Sequence, residues 1–452
     1  MSWSQVSDHR WERPSNGTEG FLIFMENTSA SLFEGRRQFT IFSRLKVNLQ
    51  IPADELEDAL RYAWKQVRSE QPQLAETVEG YNKIYEVPDE AALQSWLEKT
   101  FIVSDEMEGE AIANQSRPID QVTFYYVPKA SQLIIRAPHS TIDGIGILLL
   151  WHTYLTALAN PKPNLAIGEE ATRLCPSREK ALGHADVPPA ETVVKATKMV
   201  AEKAAFYPGI GPVNRIGTVP AGSTQRREVV YSERITDAIV QACKRNGYSV
   251  TAAVHAAWVL TIVKHADPTQ TSETSKYLTF GQFNLRPYLP EPYSSSQYAV
   301  ANYSIGWPLV FEKPNKFKEF VHIIDEAYKT TFKDNPENLE MSGSVINCLR
   351  NIVQSPEFMA GPVARDAIVS SLGIIERYLQ QSYASADNSR QIIIEDLKFG
   401  IECILGDSMV SLYTFRDQLR MVFSFNESYE DESHVQGYLE EIQKILLEEL
   451  VA

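Results

Sequence analysis

Residues 131–158, SQLIIRAPHSTIDGIGILLLWHTYLTAL, restrict the possible folds of this chain more than any other stretch. Leu133, Ile135 and Ala137 alternate as one face of a strand, and Pro138 ends it by withdrawing a backbone donor and restricting its neighbour. The apolar run from Ile145 to Leu150, continued by Trp151 and Leu155, reads as a buried helix. Asp143 stands where a carboxylate caps the unpaired N–H groups of that helix, with Gly144 as the next residue. His139 therefore occupies a tight strand-to-helix corner, where a ring nitrogen can face a cavity while both flanks stay packed. A satisfied histidine beside an ordinary Asp cap is the bland reading of the same residues.

A chain of 452 residues with 44% apolar and 10% aromatic content can bury a large core, which suggests two domains. Its 43 Lys and Arg against 58 Asp and Glu give a net charge of −15. Such an acidic chain repels phosphates, and basic pairs such as Arg36-Arg37 and Arg226-Arg227 make no patch, so no nucleic-acid partner is expected. The opening residues lack the apolar core of a secretory signal. The longest apolar stretch, about 252–263, is interrupted by His255, so no membrane span or membrane partner is expected. Cys175, Cys243, Cys348 and Cys403 lie far apart, which fits reduced thiols in a cytoplasmic protein and no zinc site. No metal-ligand spacing occurs, and His255 and His265 read as core and helix-end histidines. The absence of a Gly-x-Ser-x-Gly elbow disfavours a Ser-His-Asp hydrolase.

In chain order, residues 20–50 read as early strands. A helix at 53–69 with Leu56, Leu60, Ala63, Trp64 and Val67 on one face ends at Gln71-Pro72. A short helix follows at 89–101, and 121–127 pairs with the His139 strand as a hairpin turned at Pro128-Lys129. Prolines and glycines gather from 160 to 224, around a helix at 191–205. Further on come a strand at 227–231, helices at 232–246 and 252–265, and a strand at 280–284 broken by Arg286-Pro287. Two helices at 315–360 precede a strand at 367–376 containing a Ser-Ser-Leu-Gly turn. Strands at 391–395, 401–404, 409–415 and 420–426 lead to a closing helix at 433–450. The expected domains are an N-terminal lobe at 1–165, a crossover at 166–225 and a C-terminal lobe at 226–452. Each mixes strands and helices, an α/β (α+β) class with mixed sheets.

His139-x-x-x-Asp143-Gly144, together with Asn284-Leu285-Arg286, the prolines after it and then Asn302, resembles the condensation-domain and BAHD-like acyltransferase superfamily. The chain looks closest to the fungal O-acetyltransferases of secondary metabolism. The likeness spans nearly the whole chain in order. It implies two chloramphenicol-acetyltransferase-like lobes with the active site in a tunnel between them, His139 as general base, and Asp143 folded back on Arg286 as structural support with Gly144. It also implies Ser370, Ser371 and Asn302 as oxyanion or substrate contacts, simple turn hydroxyls being the alternative for the serines. Two departures matter. Pro138 replaces the second histidine of condensation domains, which favours free acyl-CoA over a carrier-protein arm. Asp396-Leu397-Lys398-Phe399-Gly400-Ile401 is a degenerate form of the BAHD Asp-Phe-Gly-Trp-Gly loop.

The reaction implied is transfer of an acyl group, acetyl above all, from acyl-CoA as co-substrate to a hydroxylated small molecule, with no permanently bound cofactor and a monomeric enzyme. Thioester-to-hydroxyl transfer needs one base and donors to the oxyanion, but no protein nucleophile. The alternatives are a same-fold enzyme that cyclises or rearranges a natural product without a donor, and a non-catalytic binding module.

Overall fold

The computed structural model describes residues 2–114, 117–268, 271–272, 275–361 and 367–451. Two compact units emerge, and neither is continuous in sequence. The first comprises Met1–Val187, Asn284–Ser304 and Ile375–Glu402; the second comprises Pro188–Phe283, Ile305–Ile374 and Cys403–Ala452. The expected linear partition at 165 and 225 gives way to this interleaving, because strands and turns from late in the chain complete the first unit.

A six-stranded mixed sheet organises the first unit. Its order is Ser382–Ala384, Gln391–Ile401, Ile41–Gln50, Gln132–Ala137, Thr123–Val127 and Phe101–Val103. All neighbours run antiparallel except the last pair, which is parallel. Every residue of Gln132–Ala137 is buried, so this strand is covered on both faces. On one face the helices Leu56–Glu70 and Gly144–Ala159 bring Trp64, Trp151 and Tyr154 onto Phe124, with ring centroids 5.3, 5.9 and 4.6 Å away. The indole nitrogens of Trp151 and Trp64 find Ser43 Oγ at 2.9 Å and Thr100 Oγ1 at 3.1 Å. On the other face, Ile112 and Ala113 of the helix Gly109–Asn114 pack with Phe42, Tyr125, Val127 and Ile134. A second, four-stranded antiparallel sheet runs in the order Ser4–Gln5, Arg10–Pro14, Asn82–Glu86, Thr77–Glu79.

In the second unit, Ala367–Ile374, Ser408–Phe415, Gln418–Asn426 and Thr224–Val230 form a four-stranded mixed sheet. Trp258 on the helix Val250–His265 packs on Phe423 and on Tyr438 of the closing helix Glu432–Leu450. Ser249 caps the first of these helices through Ala252 N. His255 is fully buried, its ring nitrogens 2.8 Å from Tyr277 Oη and 3.0 Å from Tyr328 Oη, and burial pushes its imidazole down to about 3. It is a neutral core histidine.

Several elements differ from the sequence reading. Of residues 20–50, expected as early strands, Ile41–Gln50 is a strand, but the first part forms the helix Gly17–Leu32. Its buried face includes Glu19, Leu22, Ile23, Glu26 and Ser29, a helical spacing hidden from a hydrophobicity pattern because half of it is polar. The strands expected at 391–395 and 401–404 are one strand, Gln391–Ile401, lying on Ile41–Gln50. A bulge between Ile394 and Asp396 shifts the buried positions from 392 and 394 to 397, 399 and 401, which conceals its continuity. The degenerate Asp396 loop is thus mid-strand, and Asp396 Oδ2 receives a hydrogen bond from Arg44 Nη2 at 2.5 Å. Four short and long helices, Phe317–Lys333, Pro336–Glu340, Ser342–Val353 and Pro356–Met359, stand where two were expected.

Candidate active site

The strand Gln132–Ala137 and the helix Gly144–Ala159 are joined by the corner that carries His139. Asp143 is the helix cap: its Oδ1 accepts from Gly146 N at 2.7 Å. The same carboxylate, 1% exposed, does more than cap. Arg286 Nη1 lies 2.7 Å from both Asp143 oxygens, and Tyr303 N donates to Oδ2 at 2.7 Å. Arg286 Nη2 donates to Ala301 O at 3.1 Å. One guanidinium nitrogen thus bridges the carboxylate while the other grips a backbone carbonyl. Both residues of the pair belong to the first unit, which includes 284–304 although the expected C-terminal lobe began at 226.

Close approach of the helix start to residues 299–301 requires Gly146. A Cβ there would stand 2.6 Å from Ala299 O and 2.7 Å from Ile142 Cγ1. Gly144 is the first residue of the helix and is only partly buried.

Around the imidazole, Nδ1 lies 3.1 Å from Ile142 O and 3.2 Å from Asn302 Nδ2. A carbonyl only accepts, so the tautomer with its proton on Nδ1 satisfies Ile142 O and leaves Nε2 with its lone pair. One N–H of the Asn302 amide donates to His139 O at 2.7 Å while Nδ2 also lies beside the ring, and Oδ1 accepts from Ser304 N and Oγ. Nε2 has no hydrogen-bond partner among the described residues. Burial pushes the imidazole below its ordinary value, against the opposing effect of the Asp143 charge. A neutral imidazole with one free ring nitrogen on a partly exposed side chain is what a general base requires.

Of the residues singled out from sequence, the first unit thus gathers His139, Asp143, Gly144, Arg286 and Asn302. Ser370 and Ser371 belong to the second unit, on the strand Ala367–Ile374. They occupy a bulged strand and not a turn: the register shifts between Ser371 and Gly373, whose φ is +68°. Ser371 Oγ accepts from Thr251 Oγ1 at 2.9 Å. Sequence reasoning missed Glu26, whose two oxygens accept from Ser140 N at 2.9 Å and Ser140 Oγ at 2.8 Å, directly beside His139. It also missed Lys83, which donates to Ser140 O at 2.8 Å. No local signal marked either, since both partners reach Ser140 from distant elements. Among the described residues, no group of His, Cys, Asp and Glu has metal-site geometry, and no helix is long and apolar enough to cross a membrane.

No protein-family model matches the chain. Among known proteins it is similar to acetyltransferase pigO of Monascus ruber, 28% identical over 463 residues, covering 100% of this chain and 98% of pigO. O-acetyltransferase pigM of the same organism is 28% identical over 466 residues, covering 100% of this chain and 87% of pigM. Among solved structures, trichothecene 15-O-acetyltransferase from Fusarium sporotrichioides superposes with a TM-score of 0.82 at 17% identity, over 99% of this chain and 97% of that one. The first condensation domain of the calcium-dependent antibiotic synthetase gives a TM-score of 0.65 at 13% identity, over 97% and 96%. The chain thus has the fold of trichothecene 15-O-acetyltransferase and of condensation domains, and two of its full-length relatives are named acetyltransferases.

Proposed function

We propose that this chain is an O-acetyltransferase that moves an acetyl group from acetyl-CoA to a hydroxyl of a small secondary metabolite. The observation that carries the reading is the placement of His139: Nδ1 is turned to Ile142 O, which accepts its N–H in the tautomer this mechanism uses, and Nε2 then offers its lone pair. In this mechanism Nε2 accepts the hydroxyl proton as the acceptor oxygen bonds to the thioester carbonyl carbon. The tetrahedral adduct then collapses, the C–S bond breaks, and the CoA thiolate takes the proton back from Nε2. Ester and free thiol are the products, and the imidazole is regenerated. Asp143 and Arg286 take no proton; they fix the corner from which the ring projects. The names of pigO, pigM and the trichothecene enzyme support acetyl as the group moved and a secondary metabolite as the acceptor. Pro138, in place of a second histidine, supports a free CoA thioester as donor.

The test is thiol release from acetyl-CoA in the presence of a panel of hydroxylated polyketides and terpenoids, with ester formation followed by mass spectrometry. His139→Ala is expected to fold and to lose ~10²–10⁴-fold in turnover, the usual contribution of a general base. His152, whose Nδ1 lies 3.0 Å from Tyr383 Oη, is the control, and its replacement should act on stability alone. Ser370→Ala and Ser371→Ala test the oxyanion roles that the resemblance gives those hydroxyls. Near-normal turnover in His139→Ala would sink the mechanism. Conversion of an acceptor without thiol release would point instead to donor-independent rearrangement.

A further inference from the structure

Behind the His139 corner, five ionisable side chains are shut away from water. Arg13, Glu19, Glu26, Glu76 and Lys83 are all at most 5% exposed. Arg13 grips Glu19 through two hydrogen bonds of 2.7 and 2.9 Å. Lys83 Nζ lies 3.0 Å from Glu19 and 2.6 Å from Glu76, and also donates to Ser140 O. Two cations therefore face two carboxylates, and that part of the cluster is neutral. Glu26 is the fifth group. Its hydrogen bonds go to Ser140 alone, and among the described residues no cation lies within ion-pair distance of it. The nearby Arg37 is engaged with Asp120 at 2.8 Å. A buried carboxylate with no cation to balance it is strongly disfavoured, and a proton on the carboxyl removes that penalty.

Ser140 is the residue next to His139, and all its polar atoms are held: the amide and hydroxyl by Glu26, the carbonyl by Lys83. On the other side, Asn302 holds the His139 carbonyl. We propose that Glu26 is a positioning residue of the His139 corner, holding Ser140 by its amide and hydroxyl as an uncharged carboxylic acid. In that form Oε1 accepts from Ser140 N, and Oε2–H donates to Ser140 Oγ, reversing the bond that the hydroxyl donates to a charged carboxylate. The inference deepens the reading of His139 as general base and rests on it. Burial pushes the Glu26 carboxyl up, as an uncharged acid requires; it pushes Glu76 up as well, against its single cation Lys83, whereas the two cations on Glu19 hold that carboxyl down at about 2.

An amide has nearly the same shape as a carboxylic acid and can place its C=O on Ser140 N and one N–H on Ser140 Oγ as the acid does, so Glu26→Gln separates the two protonation states. The experiment compares Glu26→Gln, Glu26→Ala, Ser140→Ala and His139→Ala with the native protein. It measures kcat and KM for acetyl-CoA, and it follows the imidazole titration of His139 by NMR in the free protein, the signal being assigned by its loss in His139→Ala. Glu26→Ala should lower kcat by on the order of 10²-fold, the effect of an ångström-scale misplacement, with KM unchanged and the His139 titration displaced. Glu26→Gln should match the native protein in both readouts, and Ser140→Ala should fall between. If Glu26→Ala fails to fold, Glu26→Gln and Ser140→Ala carry the comparison. A silent Glu26→Ala or a silent Ser140→Ala overturns the positioning role. A Glu26→Gln as impaired as Glu26→Ala overturns the uncharged form. Failure of the acetyl-transfer reading appears separately, as native protein that releases no thiol, and the NMR titration tests Glu26 even then.

Discussion

Replacing Asp143 by Asn changes one oxygen to an NH₂ group and removes one charge, and the surroundings offer that group no acceptor. The Asp143 oxygens receive Gly146 N, Tyr303 N and Arg286 Nη1, all at 2.7 Å. Whichever way the amide turns, a buried backbone N–H faces a donor, and the Arg286 guanidinium, in a residue 3% exposed, loses its counter-charge. Breaking a buried pair from one side costs about 3–5 kcal/mol. Against a typical total stability of roughly 5–15 kcal/mol, that is a large fraction. The same cost should follow Arg286→Met, which orphans the carboxylate. Combining the two removes both charges at once, so the double variant should be less destabilised than the sum of the singles by about 2–3 kcal/mol. Urea unfolding of the four proteins, followed by tryptophan fluorescence and circular dichroism, gives this coupling energy. Additive effects of under about 1 kcal/mol each would refute the argument, because they fit only a solvated pair.

Other expectations follow from single contacts. Glu430 is 4% exposed, and burial pushes its carboxyl up to about 7 despite the hydrogen bond from Ser408 Oγ. A raised folded value means the folded state holds this proton more tightly than the unfolded one, so stability contributed by Glu430 is lost as pH rises from about 4.5 to about 7 and is level above that. Glu430→Gln should therefore gain on the native protein by up to about 3 kcal/mol between pH 5 and pH 8 in urea unfolding, and a pH-independent difference would contradict the burial argument. Gly146→Ala should cost about 1–3 kcal/mol, since the added methyl meets the Ala299 carbonyl, which cannot turn aside. Thermal unfolding unchanged in that variant would show that the helix start and residues 299–301 are not so close.

What the sequence revealed was whatever local chemistry dictates. Pro138, Asp143 and the apolar run after it can be read only as a strand end, a cap and a buried helix, and the structure has all three. In the structure Ser232 and Ser249 cap the helices expected at 232–246 and 252–265 in the same way. The meeting of Asp143 with Arg286, 143 positions apart, came from a pattern of matched motifs and not from any local rule. Glu26 stayed invisible because it lies on a helix whose inner face alternates between apolar and ionisable residues. Its reason for being buried is Ser140, 114 positions away. Charged residues in a sequence default to the surface, and only their partners reverse that assignment.

The interleaving of the two units has a consequence for how the chain is made. When residue 187 leaves the ribosome, the Ile41–Gln50 strand has only one of its two neighbours; the other, Gln391–Ile401, is some two hundred residues from being synthesised. For all that time its outer backbone groups form an open edge, a template for wrong pairing. The Asp143 carboxylate likewise waits for an arginine that appears only after most of the second unit's first helices. Early folding of the first unit by itself is therefore incomplete by construction, and the nascent chain stays exposed to aggregation until about residue 402 has emerged.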